Sequence, residues 1–155
     1  MNGDKDQPVL VPFGPDFWYA DGPAITGAAG FHFPTRMCVI RLPGDAGLWV
    51  WSPIALSCAL QDAVDTLGTV RHLIAPNNLH FSFLEAWARA YPKAQVHAAP
   101  GLSADTAQTT IHAPLTDDAD PRWADIIDQV VIPGNRTITE VAFFHRPSGT
   151  LILTD

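Results

Sequence analysis

The chain has 155 residues, a formal net charge of −7, 47% hydrophobic residues and only 16% charged ones. That length suits one domain with a real core, and that hydrophobic content argues against disorder. The nine Lys and Arg are scattered, which speaks against a nucleic-acid partner, because neutralising phosphates needs clustered positive charge; no basic amphipathic helix points to a membrane surface, and no apolar run approaches transmembrane length.

Residues 1–15 read as an irregular lead-in broken by Pro8, Pro12 and Pro15. The first seven residues are polar and acidic, unlike a secretory signal, so a cytoplasmic location is expected, with Cys38 and Cys58 reduced and buried. Phe17 to Ala20 predicts a short strand closed by Asp21-Gly22-Pro23, and Gly22 to Gly30 predicts a loop. Met37 to Leu42 and Leu48 to Trp51 predict a hairpin around Pro43-Gly44-Asp45, ended by Ser52-Pro53. Ser57 to Leu67 predicts a helix, with Leu60, Val64 and Leu67 at helical spacing and Gly68 as its C-terminal cap.

Val70 to Ile74 predicts the next strand, His80 to Tyr91 an amphipathic helix ended by Pro92, and Gln95 to Ala98 a further short strand. Strand, helix, strand, helix, strand is the order of βαβ units with right-handed crossovers, so a single α/β domain is expected. Ser103 to Asp120 carries little signal, and Trp123 to Val131 reads equally as helix or strand. Glu140 to His145 and Thr150 to Thr154 flank Pro147-Ser148-Gly149 and predict a closing hairpin.

The junction Ile74-Ala75-Pro76-Asn77-Asn78-Leu79-His80-Phe81-Ser82-Phe83 carries the most chemistry. Polar groups there project beyond a strand end, where α/β proteins place their sites. His80 can bind a metal or act as a base, and it also reads as an ordinary packed histidine. Asn77 and Asn78 suit a ligand or a helix cap equally. His145 and Arg146 are expected in solvent at a hairpin tip. His32, His72, His97 and His112 show no paired spacing, so each is expected to be structural or exposed. Ser52 and Ser57 lack a glycine-flanked elbow, and the chain has no phosphate loop, dinucleotide fingerprint or Cys-x-x-Cys pair.

Several segments together resemble the metallo-β-lactamase superfamily, and more closely the bacterial DUF4336 group. They are Asp16 to Pro23, Leu48 to Pro53, Val70 to Trp87, Tyr91-Pro92 with Pro100-Gly101-Leu102, and Glu140 to Asp155. The resemblance implies an αββα sandwich spanning residues 1–155, incomplete at its C-terminus. It also implies a metal loop of the form His-x-His-x-Asp-His, a later Pro-Gly-His turn, and an Asp ending a strand. Laid on this chain, the loop falls on Asn78-Leu79-His80-Phe81-Ser82-Phe83. His80 keeps a ligand residue, while Asn78, Ser82 and Phe83 replace two His and an Asp. The turn becomes Pro133-Gly134-Asn135, and the bridging Asp matches Asp155. Starting the motif at Asn77 instead would lose His80.

The resemblance therefore implies a degenerate metal site made of His80, Asp155, Asn78 and Asn135. Catalytic zinc takes three protein ligands and an open position, and an amide oxygen is a weak zinc ligand. Three readings stay open: a binding or scaffold protein of this fold that has lost the usual metal centre; a hydrolase with an altered site holding a single divalent metal, zinc included; or, with the resemblance set aside, an α/β domain with no ligand of its own, acting as a subunit. A small-molecule ligand is the expected partner. A homo-oligomer through an open sheet edge along Leu151 to Thr154 is the further expectation.

Overall fold

Alternation along two strands sets the architecture. In β3 (His32–Arg41) and β4 (Leu48–Trp51), Met37, Val39, Leu48 and Val50 point to one face, and Cys38, Ile40, Trp49 and Trp51 to the other. All eight are buried, so the sheet that holds them is covered on both sides, as period-two alternation of apolar side chains dictates.

The computed structural model describes residues 10–27, 30–134 and 138–154. Seven strands form the larger sheet in chain order: β1 (Val11–Gly14), β2 (Phe17–Thr26), β3, β4, β5 (Val70–Ala75), β6 (Gln95–Ala98) and β7 (Ala113–Pro114). The first four pair antiparallel with one another. From β4 onward the pairing is parallel, because helices α1 (Cys58–Leu67) and α2 (Leu84–Ala90) provide the crossovers. The second sheet is antiparallel, in the order β10 (Thr150–Ile152), β9 (Thr139–His145), β8 (Ile127–Pro133).

Two cores result. One joins the larger sheet to α1, α2 and the short α3 (Ala104–Ala107) through Leu60, Val64, Leu84, Trp87 and Ala107. Trp87 is fixed there by its indole N–H, which donates to the Ile54 carbonyl at 2.7 Å. The other fills the space between the sheets with Trp49, Trp51, Trp123, Ile127, Val141, Phe143 and Ile152. Trp49 meets Phe143 edge-on at 5.0 Å, a favoured aromatic geometry. The described residues thus build helix, sheet and sheet, which are layers of the expected sandwich. The outer face of the small sheet leaves Val130, Ile132, Phe144 and Leu151 exposed.

Several expectations need correction. Strand β2 does not stop at Asp21-Gly22-Pro23 but continues to Thr26, since the pairing with β3 shifts register between Gly22 and Ile25; an irregularity of that kind accommodates a proline within a strand. Helix α2 begins at Leu84 rather than His80, with residues 80–83 forming turns. Cys58 is exposed at the first position of α1, whereas Cys38 is buried as expected, and burial pushes its thiol up to about 12. His145 is fully buried, not solvated. It packs on Phe17 at 5.4 Å, and its Nδ1 lies 2.7 Å from the Ser148 hydroxyl. His72 and His97 are structural, as one of the two expectations had it: both are buried, with ring nitrogens 3.3 Å apart.

Candidate functional site

Parallel pairing of β4 with β5 sets Trp51 beside Ile74, so the polar residues that follow both strands emerge at one edge. Ser52 follows β4 with φ 50, in the left-handed region, where a non-glycine residue costs on the order of 1 kcal/mol. Its N–H donates to the Ile74 carbonyl at 2.9 Å. Its Oγ lies 2.9 Å from Nδ1 of His80. The strained turn is thus held on β5 and directs its hydroxyl to the imidazole.

Asn77 organises the loop. It is fully buried, and its Oδ1 accepts from the N–H groups of Leu79 at 2.9 Å and His80 at 2.8 Å. This is the side-chain turn expected of asparagine at a strand-to-helix junction. Its Nδ2 donates to the Thr154 hydroxyl at 3.2 Å. The second sheet closes on the loop at the same place. The Val141 N–H donates to the Pro76 carbonyl at 2.8 Å, Asn77 bridges Glu140, and the Thr154 N–H donates to Glu140 Oε1 at 2.8 Å.

Ser52, Asn77, His80, Glu140 and Thr154 therefore meet where the two sheets join. Of the residues expected at the metal site, His80 lies in this cluster and Asn78, half-buried, lies in the same loop. Asn135 and Asp155 lie outside the described residues. His145 ends β9 five positions beyond Glu140, about 16 Å away at strand rise, and takes no part. Sequence reading missed Ser52, Glu140 and Thr154. The backbone break at Ser52-Pro53 was the one signal available for Ser52.

A family model described as "Domain of unknown function (DUF4336)" matches residues 24–155. The chain belongs to the DUF4336 family. Among curated proteins none matches it. Among solved structures, the DIM-1 metallo-β-lactamase superposes on this DUF4336 chain with a TM-score of 0.67 at 6% identity, over 92% of this chain and 67% of that one. The metallo-β-lactamase from Hirschia baltica gives 0.65 at 14% identity, over 91% and 67%. FIM-1 from Pseudomonas aeruginosa, in its mono-zinc form, gives 0.60 at 12% identity, over 90% and 65%. At such identities the likeness shows the fold, which is that of the metallo-β-lactamases, and this DUF4336 chain spans about two thirds of it.

The donor chemistry decides whether a resident metal of that fold suits the described residues. Imidazole and carboxylate suit zinc. Asn77 engages both its amide groups within the protein, Phe83 has no donor atom, and Glu140 Oε1 takes a backbone N–H. No group of three or more His, Cys, Asp or Glu converges among the described residues. His80 is the one strong donor at the loop. The described residues by themselves do not supply a three-ligand zinc centre.

Proposed function

We propose that the strand-end cluster around Asn77 and His80 is a small-molecule binding site without the usual hydrolytic zinc centre. One observation carries this reading: His80 is the one strong metal donor in the loop, and the buried Asn77 carboxamide beside it ties the loop to itself and to Thr154. An amide engaged in this way shapes the site. Elemental analysis of the purified protein and a zinc titration test it. The expected outcome is no stoichiometric, tightly held zinc; a one-to-one tight complex would overturn the reading.

The Ser52 contact favours a second reading, a metal-dependent hydrolase with a mononuclear site. A hydroxyl at Nδ1 of a histidine fixes the ring, and metal-binding histidines commonly have such a partner. In that case His80→Ala abolishes metal-dependent turnover of an ester or thioester, while equal turnover in variant and parent excludes it. We further propose a cytoplasmic location and pairing of two copies along β10. That strand lies at the edge of its sheet, and an unpaired edge strand is a template for another chain. Light scattering tests the pairing, and a clean monomer removes it.

A further inference from the structure

A second cluster lies at the opposite ends of β5 and β6. A shallow, open depression of about 340 Å³ lies there, lined by Asp45, Ala46, Arg71, His72, Lys93, Gln95 and Arg122. Its position beside the start of β5 puts it about 16 Å from Asn77 at strand rise. It is separate from the strand-end site.

The pattern of ion pairs singles this cavity out. Among the described residues, Arg36, Arg41, Arg89, Arg122 and Arg146 each hold a carboxylate. The two remaining described cations, Arg71 and Lys93, hold none, and both line this cavity. The chain has 16 Asp and Glu against nine Lys and Arg, so carboxylates are plentiful. Both are cations on the wall of one depression. Asp45, the one carboxylate in the lining, makes an ion pair with neither.

The other lining groups are arranged as donors. Arg122 is held in a fixed fork: its Nε donates to Asp120 Oδ1 at 2.7 Å and its Nη2 to Oδ2 at 2.6 Å. Its Nη1 donates to Gln95 Oε1 at 2.6 Å, which leaves the Gln95 NH₂ as that side chain's donor. His72 forms part of the wall and is 2% exposed. Its Nδ1 faces His97, and its ring also meets the Ala46 backbone at the same wall.

We infer that this cavity binds the dianionic phosphoryl group of a small phosphorylated molecule, held by Arg71 and Lys93 with Arg122 and Gln95 alongside. The two unpaired cations match the charge of a phosphoryl dianion, and a guanidinium is suited to its oxygens. A volume of about 340 Å³ lies at the lower end of small-molecule pockets, which leaves room for an organic remainder beyond the phosphoryl group.

The test is a titration of the ¹⁵N-labelled chain, followed by amide shifts. The probes are inorganic phosphate and glycerol phosphate, with glycerol and with sodium chloride at matched ionic strength as controls. Saturable shifts at Arg71, Lys93 and Gln95 are expected, with the monoester at least as tight as phosphate. The double variant Arg71→Gln, Lys93→Gln should bind about tenfold more weakly or worse, as loss of charge-assisted bonds implies. Both side chains are exposed, so the variant keeps the fold, and His80→Ala should bind the monoester like the parent. Shifts that merely follow ionic strength, undiminished binding in the double variant, or phosphate binding more tightly than the monoester would each overturn the assignment.

Discussion

Mild acid should destabilise this domain through the two imidazoles that face each other between the sheets. His72 and His97 are each 2% exposed, and both pack edge-on against Trp123, at 5.1 and 4.9 Å. Burial, joined by the Arg122 charge, pushes His72 down to about 4 from 6.5. Burial, joined by His72 itself, pushes His97 down to about 3. The unfolded chain takes up protons at these residues near pH 6.5, while the folded chain refuses them. Below pH 6.5 the unfolded state therefore binds more protons, and stability falls as the pH falls. At pH 5 both folded values still lie below the ambient pH, so the loss depends on the unfolded value alone. A gap of about 1.5 pH units at 1.36 kcal/mol per unit gives about 2 kcal/mol for each ring, and at most roughly 4 kcal/mol for the pair. Urea titrations followed by tryptophan fluorescence at pH 7, 6 and 5 measure this directly. Asp21, Asp120 and Asp128 are held below 3.8 by their arginine partners, so their contribution is lost only in stronger acid. In a His72→Phe, His97→Phe variant the pH slope should shrink by more than half. The remainder falls to His145, whose value burial also lowers. A stability that is flat from pH 7 to 5, or an undiminished slope in the double variant, would refute the reasoning.

Asn77→Ala removes the acceptor of two backbone N–H groups and the donor to Thr154. It should cost about 2–3 kcal/mol in urea unfolding and speed amide exchange at Leu79 and His80 selectively. Trp87→Ala empties a fully buried site on α2 and should cost about 3–5 kcal/mol, read as a lowered denaturation midpoint. Of the two thiols, Cys58 should react promptly with a disulfide reagent in the native protein, and Cys38 only after unfolding, in keeping with their exposure; equal rates would contradict that burial.

The parallel core was readable because its signals are local. Leu60 and Val64 recur at helical spacing, Ser57 caps α1 by accepting the Leu60 N–H, and the strands are short apolar runs. Strand β2 was cut short because Gly22 and Pro23 look like a stop, and the shifted register that absorbs them depends on β3. At the site, His80 and the two asparagines were legible from their place at a strand-to-helix junction. Ser52, Glu140 and Thr154 were not, since each reaches the loop only through the pairing of strands distant in sequence. The pair His72 and His97 shows the same limit. Twenty-five residues separate them in the chain, and only the parallel register of β5 with β6 brings the rings together.

The hydrogen bond from Asn77 to Thr154 spans 77 positions of the chain. Closing so long a loop is entropically costly and comes late in folding, after the local βαβ contacts have formed. A nascent chain that has emerged only as far as β8 already contains Ser52, Asn77 and His80, yet lacks the strands that bring Glu140 and Thr154 to them. The strand-end cluster is thus completed only once β9 and β10 have joined the fold.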